Sequence, residues 1–190
     1  MPLVQERARA KRDRLVAAAD RVVHRQGYAG TTLADIAREA EQPVGSLYYY
    51  FRTKEAVVEA IVAERLRDLE SRIARWERRP DPRARLRQLI QVWVDDREID
   101  ARYGCPVGSL CYELGKSGAQ STNRAADPLR RILEWSETQF RALGEPPARA
   151  RDRAAHLLAA LQGISLLANA FRDPNMILRE ARELQRWLEQ

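Results

Sequence analysis

The stretch Pro43-Val44-Gly45-Ser46-Leu47-Tyr48-Tyr49-Tyr50 gathers four hydroxyl groups into what reads as two turns of helix. Ser46 can donate to a phosphate or a base edge, and tyrosine hydroxyls suit phosphate oxygens while their rings pack on sugars. Residues 48, 49 and 50 span about 200° of a helix, so the three rings cannot share one buried face of a helical bundle. Leu47 and Phe51 turn inward, which leaves Val44, Gly45, Ser46, Tyr48 and Tyr49 on the outer faces. Gly45 lets the backbone come close to a partner. Lys54 falls at the start of the following helix, where its charge and the positive helix end both favour a phosphate.

Other chemistries find less support. Gly115-Lys116-Ser117 echoes the end of a phosphate-binding loop, but Leu110 stands where a glycine is required and no strand precedes it. His24 and His156 are far apart, with no metal-ligand spacing. Asp95, Asp96 and Asp100 read as solvated carboxylates. There is no Gly-x-Ser-x-Gly elbow. No catalytic residue, metal site or cofactor is expected, and the chain does not read as an enzyme.

Helical periodicity runs through almost the whole chain and strand alternation through almost none. Leu15, Ala18, Ala19, Val22 and Val23 form one stripe that ends at Gly27, a helix-terminating glycine. Leu33, Ile36, Ala37 and Ala40 form a second, opened by Thr32 with Asp35 three residues on, a capping box. Val44, Leu47 and Phe51 form a short third. Thr53 caps a long fourth helix whose inner face is Val58, Val62, Leu66, Leu69, Ile73 and Trp76. Pro80-Asp81-Pro82 starts a fifth carrying Leu86, Leu89, Ile90, Trp93 and Val94. A stretch at 103–126 containing Gly, Pro and Ser holds a sixth. The seventh carries Leu129, Ile132, Leu133, Phe140 and Leu143, the eighth covers 148–172, and the last carries Ile177, Ala181, Leu184 and Leu188. The expectation is an all-α fold of about nine helices. Its first three helices are too small to bury a core alone and use the fourth as a floor, with the domain boundary placed at 54/55.

With 45% hydrophobic and 32% charged residues, the chain has the composition of a globular protein, not a disordered one. Nothing approaches the roughly 18 consecutive apolar residues of a membrane span, and basic residues precede any apolar signal core. The two cysteines do not imply a disulfide framework, so a cytoplasmic location is expected. The net charge of +6 and pI near 9.7 suit a polyanion partner, but the excess is local only in the first 14 residues. There Arg7, Arg9, Lys11, Arg12 and Arg14 face Glu6 and Asp13.

Gly27-Tyr28-Ala29-Gly30-Thr31-Thr32-Leu33-Ala34-Asp35-Ile36-Ala37, followed by Gly45-Ser46-Leu47-Tyr48-Tyr49-Tyr50-Phe51-Arg52-Thr53-Lys54-Glu55, closely resembles the DNA-binding domain of TetR-family (tetracycline-repressor-like) transcriptional regulators. Spacing, capping residues and the Leu-Tyr-x-x-Phe-x-x-Lys core coincide over about residues 9–60. The resemblance implies a helix-turn-helix whose short second helix enters the major groove. It also implies that Thr32, Ser46, Tyr48, Tyr49 and Lys54 contact double-stranded DNA, chiefly phosphates, with Val44 and Gly45 nearest the bases. The chain departs from the family at Ala40-Glu41-Gln42, where glycine and an apolar residue are usual at 41 and 42. A non-glycine residue in a left-handed turn costs about 1 kcal/mol. No side chain of the short helix offers an arginine fork to guanine, so base readout looks sparse.

The resemblance further implies that residues 55–190 pair two subunits and enclose an effector site. Ala155, Ala159 and Gly163 make a smooth strip beside Leu158, which suits a homodimer interface. Trp93, Tyr103, Cys105, Tyr112, Trp135, His156, Gln162, Asn169, Phe171 and Met176 mix aromatic walls with polar groups, as ligand cavities do. Gly104-Cys105-Pro106-Val107-Gly108-Ser109-Leu110, with Glu113 beyond, resembles a segment of one group of these regulators and marks a hinge between effector and DNA. The expected function is a repressor of a palindromic operator, released by a small, largely apolar or aromatic molecule. Two alternatives stay open: a thiol sensor using Cys105 or Cys111, and a helical adaptor that does not bind DNA.

Overall fold

The computed structural model describes the backbone of residues 2–117 and 122–190, and the side chains of 5–116 and 124–190. Among the described residues every regular element is a helix: α1 (Pro2–Gly30), α2 (Leu33–Glu39), α3 (Val44–Tyr50), α4 (Lys54–Trp76), α5 (Pro82–Asp95), α6 (Arg97–Tyr103), α7 (Pro106–Ser117), α8 (Thr122–Ala125), α9 (Asp127–Ala142), α10 (Pro147–Phe171) and α11 (Asn175–Trp187). The nine expected helices are all present. The additional ones, α6 and α8, are short and lie around the stretch that looked irregular, whose residues 118–121 lie outside the described residues.

The chain divides into two compact units. One comprises residues 1–67 and 109–126, the other 68–108 and 127–190. This division differs from a cut at residue 54. Val57, Val58, Ile61 and Val62 of α4 and Leu110 and Leu114 of α7 join Leu15, Val16, Val22, Ile36, Leu47 and Phe51 in one apolar core. Three short helices lack the area to close a core, and the start of α4 and most of α7 supply it. The second core is built from Leu69, Ile73, Trp76, Leu86, Leu89, Ile90, Trp93, Trp135, Phe140, Leu157, Leu161, Ile177, Leu184 and Leu188.

Local chemistry sets the helix ends. Gly27 (φ 79°, ψ 162°) interrupts α1, and the Thr31 hydroxyl donates to its carbonyl at 2.6 Å. Thr32 and Asp35 form the expected capping box: Asp35 N–H donates to Thr32 Oγ1 at 3.1 Å and Thr32 N–H to Asp35 Oδ2 at 3.0 Å. Asp81 accepts from the N–H groups of Arg83 and Ala84 at the start of α5. The α2–α3 turn is a Schellman motif, with Gln42 N–H donating to Ala37 O and Glu41 N–H to Arg38 O. Its left-handed position is Glu41, at φ 52°. The strain anticipated for a non-glycine residue there is therefore present.

Candidate nucleic-acid interface

Helix α3 is anchored chiefly by Leu47 and its C-cap residue Phe51, and its outer face is bare. Leu47 and Phe51 are buried, and Tyr50 packs half-buried against the same core. Tyr48 is 53% exposed and Tyr49 82%. Val44 and Gly45 are exposed as well, and a Cβ at Gly45 would meet nothing within 4 Å. The Tyr49 and Tyr50 rings meet edge to face at 5.0 Å, which steadies an exposed phenol without covering it. Ser46 is half-buried and accepts a hydrogen bond from Lys11 Nζ at 3.1 Å. The outward surface thus consists of two phenols, a hydroxyl, a valine and a glycine, and it can donate to phosphate oxygens and slide along base edges.

The other expected contact residues are already engaged. Thr32 is exposed, but its hydroxyl serves the capping box and donates to Asp35 at 2.6 Å. Thr53 accepts from Ala56 N–H at 3.2 Å, so α4 starts at Lys54 as expected. The Lys54 ammonium lies 4.2 Å from the Tyr28 ring centroid and donates to Ala29 O at 3.4 Å. Burial there lowers its pKa, while the carboxylates of Glu113 and Glu55 oppose the shift. A phosphate at this helix start competes with those partners for the ammonium.

Sequence reasoning missed what Glu113 touches. Its Oε2 accepts from Ala29 N–H at 3.0 Å, and both carboxylate oxygens lie 2.9 Å from where a Cβ at Gly27 would stand. The glycine is needed twice there, for its φ and for the close approach of the carboxylate. The signal that could have found this was the pairing of a lone acid in α7 with an obligatory glycine in α1.

In the second unit, α6 and α10 meet along a polar seam. Ser165 donates to Asp100 Oδ2 at 2.9 Å, Asn169 Nδ2 to Ala101 O at 3.2 Å, and Gln162 Nε2 to Cys105 Sγ at 3.4 Å. A Cβ at Gly108 would stand 2.5 Å from Gln162 Oε1, so the first turn of α7 approaches α10 as closely as a glycine permits. Cys105, Gln162 and Asn169 are therefore brought to one seam, and half-buried Tyr103 ends the same short helix. Trp93 is buried, with its indole N–H unpartnered among the described residues. The remaining expected pocket residues stand elsewhere. Trp135 is in the core, its ring tilted 50° to that of Trp76 with centroids 5.2 Å apart, and its indole N–H donates to Glu77. His156 lies on the outside of α10, 4.9 Å from the Trp187 ring, and Phe171 is exposed at the end of that helix. Met176 is half-buried at the start of α11, and Tyr112, exposed under Lys116, belongs to the first unit. Leu158 is half-buried against the second core, whereas Ala155, Ala159 and Gly163 are exposed.

Asp100 corrects the reading of the three carboxylates as solvated: it is only 3% exposed. Its position on the inner side of a seven-residue helix could not be read from a segment without clear periodicity. Burial pushes its pKa up to about 7, against the Ser165 hydrogen bond, and Asp96 adds to the rise. Below about pH 4 the acid is protonated in folded and unfolded chains alike and costs nothing. Between pH 4 and 7 the unfolded chain gives up its proton while the folded one keeps it, so stability falls as pH rises. A shift of this size corresponds to roughly 4 kcal/mol at most. Asp100→Asn, which still accepts from Ser165, should therefore gain on the native protein between pH 5 and pH 8 in paired thermal melts. A difference that stays constant with pH would show that Asp100 is ionised in the folded chain.

A capped seven-residue helix, a four-residue turn and a second short helix held outward by two apolar anchors make a helix-turn-helix. The class this defines is the DNA-binding regulator. Comparison with known proteins specifies it further. Residues 15–61 match the family described as bacterial regulatory proteins, tetR family, and residues 82–183 match the LmrA/YxaF-like transcriptional regulator C-terminal domain. The HTH-type transcriptional regulator BetI of Burkholderia thailandensis is 34% identical over 161 residues, covering 82% of this chain and 80% of its own. An uncharacterized HTH-type transcriptional regulator in the lacX 3' region of Lactococcus lactis is 24% identical over 173 residues, covering 89% and 88%. A TetR-family regulator from Agrobacterium tumefaciens superposes with a TM-score of 0.82 at 23% identity, over 94% of this chain and 97% of that one, which bears on the fold. The chain belongs to the TetR family of helix-turn-helix transcriptional regulators, whose general behaviour is ligand-responsive repression.

Proposed function

We propose that this chain is a homodimeric repressor that reads a palindromic operator through two copies of α3 and is released by a small, largely apolar or aromatic effector held by the C-terminal helices. The observation that carries the reading is the bare outer face of α3, where Val44, Gly45, Tyr48 and Tyr49 stand exposed beyond a fully packed Leu47 and Phe51. The relatives are named as transcriptional regulators, which favours a non-enzymatic role in the cytoplasm with no membrane or cofactor involved.

Two features support the remainder. Ala155, Ala159, Gly163, Leu166, Leu167, Ala170 and Phe171 make one continuous exposed face on α10, and a Cβ at Gly163 would meet nothing within 4 Å. Helix α10 is long and apolar enough, by length and composition, to cross a membrane. In a family that binds two-fold operators, a second copy is the occupant that covers this face. Helix α7 in turn takes part in both units: its first turn lies against Gln162, and its Glu113 holds the Gly27–Ala29 turn. An effector at the α6–α10 seam that favours one setting of α7 would shift the population of DNA-competent dimers. It must bind the two settings unequally to do so.

The thiol-sensor alternative is less well supported. Burial raises the Cys105 pKa, outweighing the hydrogen bonds from Gly108 and Gln162 to its sulfur. A protonated thiol is a poor nucleophile.

Selection from a pool of random duplexes at two salt concentrations tests the proposal. A palindromic consensus with steep salt dependence is expected. Weak retention without a consensus would leave the adaptor as the better reading.

A further inference from the structure

The surface of α3 carries no cation. From Pro43 to Phe51 there is no lysine or arginine, although DNA recognition draws most of its affinity from positive charge at phosphates and much of its specificity from charged donors to guanine. The nearest ammonium comes from another helix. Lys11, 35 residues earlier on α1, donates to Ser46 Oγ at 3.1 Å. Among the described residues it forms no ion pair with a carboxylate. Beside it, the Arg12 guanidinium lies 5.3 Å from the Phe51 ring centroid, so two successive residues of α1 are fixed to α3 and its C-cap.

The direction of the Lys11–Ser46 bond matters. A lysine ammonium only donates, so Ser46 accepts, and the serine's own proton must go to another acceptor. Lys11 keeps two further N–H donors. The pair therefore brings a positive charge with two free N–H donors to the Ser46 side of α3, and this suits an acceptor. Arg7, one turn earlier on the same face of α1, continues the positive stripe away from it.

We propose that Lys11 is a DNA-contacting residue that works as a unit with Ser46, supplying from α1 the cation that the recognition helix lacks. Its target is an acceptor oxygen or nitrogen of the duplex next to Ser46, either a phosphate oxygen or the O6/N7 edge of a guanine. The inference rests on the reading of α3 as the element that enters the groove.

The test measures binding of the full-length protein to its selected consensus duplex by fluorescence anisotropy across a salt series. Native protein, Lys11→Met, Lys11→Arg and Tyr48→Ala are compared, with melting temperatures taken in parallel. Lys11→Met should bind about 10- to 100-fold more weakly per dimer with an unchanged melt, and Lys11→Arg should stay near native. If the target is a phosphate, the salt slope falls by about one per protomer and the consensus is unaltered. If it is a guanine edge, repeat selection with Lys11→Met shows one base pair of each half-site relaxed. Native affinity, slope and consensus for Lys11→Met would overturn the inference, as would equal losses for Lys11→Met and Lys11→Arg, which would mark a structural role. Loss in Tyr48→Ala with none in Lys11→Met would remove Lys11 and leave the α3 reading standing. No loss in either would remove both.

Discussion

Tyr48→Ala is expected to weaken binding to the selected operator about 100-fold while leaving the protein folded. The side chain is 53% exposed and the helix is held by Leu47 and Phe51, so truncation opens no cavity. A stability change within about 0.5 kcal/mol is expected for such a surface position. A hydroxyl that donates to a charged phosphate contributes more than a typical neutral hydrogen bond, about 1.5 kcal/mol at the low end. The proposed dimer makes the contact twice, and each 1.4 kcal/mol is about tenfold in affinity. The lost group is uncharged, so the salt dependence should not change, in contrast to a lysine contact. Anisotropy titrations at two salt concentrations read both quantities. Unchanged affinity would place Tyr48 outside the interface.

Leu166→Glu on α10 should convert a dimer into folded monomers and abolish tight operator binding. The residue is 68% exposed in the single chain, on the same strip as Ala159 and Gly163, so the substitution leaves the cores untouched. In an interface between identical copies every change occurs twice. Losing two buried leucine side chains removes about 3 kcal/mol or more, and burying a carboxylate beside apolar residues adds to that. The dimer dissociation constant should rise by at least about 100-fold. Light scattering at micromolar concentration should then report 21.8 kDa in place of twice that mass. A native protein that is already monomeric, or a variant that remains dimeric, would show that another surface joins the copies.

Much of this architecture was legible because it is written in local signals. Thr32 with Asp35, Thr53 before Lys54 and Asp81 before Pro82 mark helix starts through hydrogen bonds spanning two or three residues. The inner faces of α4, α5 and α11 follow the 3.6-residue period, and Val58, Ile73, Leu86, Leu89, Ile177 and Leu184 are all buried as that period requires. The inward turn of Leu47 and Phe51 followed from their four-residue spacing, and the angular spread of three consecutive tyrosines left no common buried face for those rings. Glu41 was marked as strained because the resemblance implies a glycine there, and its φ of 52° agrees.

The features that stayed hidden depend on partners distant in sequence. Asp100 is buried because Ser165, 65 residues later, faces it. Glu113 meets Ala29 across 84 residues. In the sequence Lys11 is one of five basic residues among the first 14, and only the fold brings it to Ser46. The first unit extends past residue 54 for the same reason, since α4 and α7 reach its core from distant parts of the chain. Periodicity and capping describe single helices, whereas a seam between two helices depends on register, which no window of sequence contains.

In the proposed dimer, the uncovered face of α10 also sets a dose dependence. One recognition helix alone grips half an operator, so useful occupancy requires two chains to have met first. Below the concentration at which pairing is half complete, the number of pairs grows as the square of the number of chains. Halving the supply of chain then cuts the number of pairs about fourfold, and occupancy of an unsaturated operator falls with it, without any effector.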